Sequence, residues 1–185
     1  MDWRKNDSKV TPLSYFSFAW RILARDRLYT LSYGMCGIIL TTFFFQSVRI
    51  HIHLYGGLSL SSIVSFDQTP QILFFVSLFS LMSLALFHSL QRLGDIGVMM
   101  AVGGNRLGCI WLHSLVILLL LVPAGLLGFS VGLTFAQPAS FDLFKELQSF
   151  VIGLSFVILI CFAVSFPTIG LTTFIDPYRA IRRQR

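Results

Sequence analysis

Four long runs without a charged side chain divide this sequence, from Leu28 to Val48, Gln68 to Gln91, Leu107 to Phe141 and Leu147 to Ile175. A helix rises about 1.5 Å per residue and needs about 20 apolar residues to cross the hydrocarbon of a bilayer. Each run therefore holds one span, placed at residues 28–48, 71–90, 112–135 and 149–170. The third run is the longest, but Pro123, the glycines after it and Gln137-Pro138 fit one kinked helix better than two short ones. Upstream, LSYFSFAWRILARDRL from Leu13 to Leu28 sets Phe16, Ala19, Trp20 and Leu23 at helical spacing, with Arg21, Arg25 and Arg27 elsewhere on the wheel. This predicts an amphipathic helix over residues 13–27 that lies along a membrane surface, its cations reaching lipid phosphates.

Composition points the same way. The chain is 55% apolar and 12% charged, where a globular domain carries about 25% charged residues. It cannot cover itself with polar side chains, so the expected fold class is all-α integral membrane, a single domain over residues 1–185. A net charge of +6 would suggest a nucleic-acid partner in a soluble protein, but the distribution of that charge says otherwise. Arg4, Lys5, Lys9, Arg21, Arg25 and Arg27 precede the first span, Arg92 and Arg106 lie between spans two and three, and Arg179, Arg182, Arg183 and Arg185 follow the last. Only Arg49 and Lys145 fall in the other two connections. The asymmetry puts both termini and the 91–106 loop in the cytoplasm and accounts for the basic charge without nucleic acid. The polar stretch before the first run is too long and too mixed for a cleaved signal, so the first span is expected to remain as an anchor.

The outer connections, about residues 49–70 and 136–148, are too short for a folded domain, which needs at least about 50 residues. His51 and His53 form an H-x-H in the first of them, read as a strand-like or interfacial pair without metal. Cys36, Cys109 and Cys161 are far apart in sequence and suggest neither a disulfide framework nor a thiolate site. No Asp, Glu, Lys or Arg lies within the expected spans, so a proton relay or ion-coupled carrier lacks its usual residues. His88 and His113, near the cytoplasmic ends, read as interfacial. Ser77, Ser80 and Ser83 on span two and Gly125, Gly128 and Gly132 on span three are spaced for close helix packing, including a contact with another subunit.

The most informative segment is the cytoplasmic loop after span two, where residues 92–104 read RLGDIGVMMAVGG. A water-exposed loop should be polar, yet no charge appears between Asp95 and Arg106. Asp95 can cap the amino end of a short helix and complement its dipole, and Gly103-Gly104 can end it in the left-handed conformation. Ile96, Met99, Met100 and Gly103 fall on one side, with Val98, Ala101 and Val102 on the other. One side can rest on the spans, and the other needs a protein partner.

This segment resembles the coupling helix of the FtsX-like permeases of the macrolide-exporter type, with a pattern like R-x-x-E-I-G-x-x-R-A-x-G-A. Arg92, Asp95, Ile96, Gly97, Ala101 and Gly103 match it, with Asp for Glu, Gly104 for the final Ala and Met100 where the family carries Arg. A second match is Ile175-Asp176-Pro177 followed by Ala180-Ile181-Arg182, similar to the family ending L-D-P-x-x-A-L-R, with Pro167 near the usual upstream Pro. The amphipathic helix before span one is a third. The large domain that the family carries between spans one and two is missing here.

The resemblance implies a permease subunit of an ABC transporter in a bacterial cytoplasmic membrane. Its partners would be a cytosolic ATPase dimer, a second permease subunit, identical or homologous, and, where one replaces the missing domain, an accessory extracytoplasmic subunit. In the implied mechanism Arg92 to Gly104 couples to the ATPase, with Met99 and Met100 filling its groove, and the cargo is an amphipathic peptide or lipid-like molecule. ATP and Mg²⁺ would sit on the ATPase, because GGNRLG at Gly103 to Gly108 lacks the Lys and Ser/Thr of a phosphate loop, and no cofactor or catalytic set is expected in this chain. Two alternatives remain: a transducer acting on an extracytoplasmic partner, and a membrane scaffold or immunity protein without transport.

Overall fold

The computed structural model describes residues 14–56, 69–101, 103–135 and 142–174. All regular structure among them is helical. Helix α1 spans Tyr15–Arg25, α2 Arg27–Tyr55, α3 Thr69–Gln91, α4 Leu93–Ala101, α5 Arg106–Phe135 and α6 Leu143–Phe174. α2, α3, α5 and α6 are each long and apolar enough to cross a membrane, which makes this a multi-pass membrane protein. α5 continues through Pro123 as one helix. The end of the bundle bearing α1 and α4 is called basal below, and the opposite end distal.

The bundle is centred on α2, which packs against α3, α5 and α6. Its Phe44, Val48 and Ile52 meet Phe74 and Leu81 of α3, Leu121 of α5 and Val157 of α6 in the main core. Lipid tails are as apolar as these side chains, so the bundle is held by close packing and hydrogen bonds rather than by escape from water. The glycines of α5 provide both. A Cβ on Gly128 would collide with Thr41 Oγ1 and come within 2.9 Å of the Thr42 backbone nitrogen, and one on Gly132 within 2.9 Å of Gln46 Nε2. Gly125 faces the Phe45 ring at ordinary contact distance. At the same seam the Thr41 hydroxyl donates to the Ala124 carbonyl at 3.0 Å, and Gln46 donates to that of Gly132. The glycine face is therefore a packing face, used within the chain against α2. The serines differ: Ser77 is buried and donates to the Phe74 carbonyl at 3.0 Å, Ser80 is half-buried and Ser83 is exposed.

The structure corrects the first span. α2 continues to Tyr55, so Arg49 and the His51/His53 pair lie in a helix and not in an outer connection. Arg49 stays in the bundle because its charge is met there: its Nε and Nη2 donate to Glu146 of α6 at 2.8 and 2.7 Å, and its Nη1 donates to the Gly132 carbonyl at 3.2 Å. His51 is fully buried and donates from Nδ1 to the Ser47 carbonyl, while His53 Nε2 lies 3.2 Å from Glu146. The helix stops at Gly56, whose φ of 71° is costly for any side chain, and whose N–H bonds the Ile52 carbonyl.

α1 packs on the bundle through one face. Ser14 caps it, its Oγ accepting from the Ser17 N–H at 3.3 Å. Ala19, Ile22 and Leu23 are buried against Leu112, Val116 and Leu120 of α5, whereas Phe16 and Trp20 are exposed.

Candidate functional site

The site is built where the α1–α2 junction meets the α3–α4 junction. α3 ends at Gln91, Arg92 makes a turn, and α4 begins at Leu93, so the short helix follows its span almost without a break. Asp95 lies in the first turn of α4, where a negative charge complements the helix dipole. It does not cap the helix; its carboxylate accepts both from Arg25 Nη2, at 3.2 Å to each oxygen, and from Arg92 Nη1 at 3.4 Å. Arg92 also donates to Asp26 at 2.9 Å and sits over the Tyr29 ring, 5.3 Å from its centroid. Asp26 is the break between α1 and α2. Two arginines and two aspartates thus tie the start of α4 to the joint at the base of α2. They line a cleft of about 720 Å³ together with Arg27, Tyr29 and Gln91.

On α4 itself, Gly94, Ile96 and Gly97 are buried, with Ile96 packed against Ile110 of α5 and Ile169 of α6. Met100 packs against the same cluster, and Met99 against the α1–α5 cluster around Leu112. Both methionines therefore turn toward the chain's own helices. The open face of the helix belongs to Val98, 54% exposed, and to Ala101. The end of α4 matches its glycines. Gly103 has φ 93° and donates to the Met100 carbonyl at 3.1 Å; Gly104 donates to that of Met99 at 2.9 Å. A Cβ on Gly104 would lie 2.6 Å from the Met99 carbonyl oxygen, so neither position accepts a side chain without a shift.

Above the cleft, the rings of Tyr29, Tyr33 and His88 cluster with centroids 4.5 to 5.6 Å apart, two pairs tilted and the Tyr33–His88 pair edge to face. His88 and His113 are each 2% exposed, which places them inside the bundle rather than at its interface. His113 donates from Nδ1 to the Cys109 carbonyl one turn earlier, at 3.1 Å. The ending motif of Asp176, Pro177, Ala180 and Arg182 lies outside the described residues, as does Val102.

The reading of the sequence missed the tether made by Arg25 and Asp26 and the distal pair of Arg49 with Glu146. Signals for both were present. Asp26 is the only acid between Asp7 and Asp67, set among three arginines, and Glu146 is the only glutamate in the chain. Among the described residues no group of three or more His, Cys, Asp or Glu could hold a metal ion. The arrangement fastens the start of α4 to the foot of α2 through its arginine–aspartate pairs. No protein-family model, curated protein or solved structure matches the chain.

Proposed function

We propose that the chain is the permease subunit of an ABC transporter in a bacterial cytoplasmic membrane, with its basal end and both termini in the cytoplasm. In this reading α4 docks on a separate ATPase dimer that binds ATP and Mg²⁺, and a second permease subunit faces the first. Closing of the ATPase pushes α4, the Arg25–Asp95 and Arg92–Asp26 pairs carry the push to α2, and the distal side rearranges to expel or extract an amphipathic peptide or lipid-like cargo. α1 lies along the inner leaflet.

The observation that carries this reading is the form of α4. It is a short apolar helix fastened by Ile96 on one side, with Val98 and Ala101 left open at the end where the basic residues gather. The Arg92-Asp95-Ile96-Gly97 pattern adds to it, as does the gathering of Arg21, Arg25, Arg27, Arg92 and Arg106 toward the basal end against Arg49 and Lys145 at the distal end.

The test is affinity purification of the full chain from its native membrane, with and without Val98→Asp and Ala101→Asp together. Two carboxylates buried against a partner without pairing cost several kcal/mol, and about 1.4 kcal/mol is tenfold in affinity. The unaltered chain should retain an ATP-binding subunit and the double variant should lose it at near-normal membrane levels, while Asn105→Asp, just past the helix, should keep it. An ATP-binding subunit missing from the unaltered complex, or retained by the double variant, would contradict the reading.

A further inference from the structure

We infer that the groove between α1, α2 and α5 holds one acyl chain of an anionic phospholipid, with the lipid phosphate on Arg27. The groove has a volume of about 440 Å³ and is walled by Trp20 and Leu23 of α1, Gly34 and Ile38 of α2, and Pro123 and Leu127 of α5. Arg27 is the one charged residue that lines it, and it also borders the basal cleft. Its neighbours Arg25 and Arg92 are engaged by Asp26 and Asp95, but Arg27 has no carboxylate partner among the described residues. An uncompensated cation at the mouth of an apolar slot fits a ligand with an anionic head and an apolar tail.

The dimensions agree with a lipid chain. Arg27 and Ile38 stand on one side of α2 and are roughly 16 Å apart along its axis at 1.5 Å per residue. That is close to the depth of one leaflet of hydrocarbon, about half of a 30 Å core. Midway, a Cβ on Gly34 would meet nothing within 4 Å, so the slot is open along its length. Close helix–helix contact in lipid favours small residues on both sides. Here the rims are Trp20, Leu31 and Leu127, large side chains from 54% to 66% exposed, which suit a flexible chain better than another helix. The site needs neither the ATPase nor a second subunit, so its test is separate from the one above.

Trp20 borders the groove and can report its occupant. The full chain, with Trp3 and Trp111 replaced by Phe, is reconstituted in phosphatidylcholine vesicles. At equal mole fraction, either phosphatidylglycerol or part of the phosphatidylcholine carries brominated acyl chains, which quench indole fluorescence. Brominated phosphatidylglycerol should quench as though enriched about fivefold at the groove, the gain expected from one basic residue beside an anionic lipid. Brominated phosphatidylcholine should quench only in proportion to its amount. Arg27→Gln should remove the preference and leave the proportional quenching, and Gly34→Leu, which fills the slot, should lower quenching by both lipids. Equal quenching by the two lipids in the chain that retains Arg27 and Gly34, or a preference that survives Arg27→Gln, would overturn the site. Quenching by neither would mean that protein, such as a second copy, covers the groove, and would overturn it too.

Discussion

Each end of the bundle is fastened by arginine–carboxylate pairs, but in opposite environments. At the distal end Arg49 and Glu146 are 4% and 7% exposed, bonded through two nitrogens and backed by the Gly132 carbonyl. At the basal end Arg92 is as buried as Arg49, but its partners Asp26 and Asp95 are 43% and 35% exposed, and Arg25, which also holds Asp95, is 62% exposed; all four border an open cleft. A buried pair is hard to part, because each charge would be left without water or partner; an exposed pair can open and be rehydrated at little cost. The difference makes the distal junction of α2 with α6 the more rigid and the Arg25–Asp95 contact the part of the basal junction that opens most easily, with Arg92 as its buried anchor. A permease driven from its cytoplasmic side needs that order, a compliant input joint on a bundle that keeps its shape.

The largest effect expected is at the distal pair. Glu146→Ala leaves Arg49 buried and unpaired and should cost about 3–5 kcal/mol, read as a fall in the thermal unfolding midpoint in mild detergent. Exchanging the pair for Met at 49 and Leu at 146 should recover most of that loss, since apolar replacement of a whole buried pair is often neutral. A Glu146→Ala chain as stable as the unaltered one would remove the distinction between the two ends.

An intermediate effect is expected between them. Gly128→Leu forces a side chain into the space of Thr41 and the Thr42 backbone and should cost about 1–3 kcal/mol. Full stability would mean that α2 and α5 can separate freely, and the bundle would not be the rigid part. The smallest effect is at the basal end. Arg25→Gln removes the exposed contacts with Asp95 and Asp26 and should cost only about 0.2–1 kcal/mol, while amides of α4 exchange with solvent faster. Unchanged exchange in α4 would show that the tether does not hold it.

What the sequence disclosed follows from the range of the forces involved. The number of spans and the end of α4 at Gly103 depend on neighbours in the chain and could be read directly, although α2 runs on to Tyr55, and α5 and α6 begin at Arg106 and Leu143, outside the expected bounds. The glycine face could too, because steps of three and then four residues add to seven, which returns to within roughly 20° of the same side of a helix. Ser77, Ser80 and Ser83 look as regular, but each step of three turns the side chain away by roughly 60°, and only Ser77 is buried. Arg49 was misread as a loop residue because its partner lies 97 positions away, and no local pattern shows that a charge will be neutralised inside the bundle. The side of α4 that Met99 and Met100 occupy was likewise open until α1, α5 and α6 were placed against it.

The most direct measurement of the central claim is a photo-crosslinking amino acid set into α4 of the full chain in its native membrane. At Val98, on the open face, irradiation should give an adduct with an ATP-binding subunit, and at Met100, which packs on the chain's own helices, it should give none. No such adduct from Val98, or equal adducts from both positions, would contradict docking through this face and with it the permease reading.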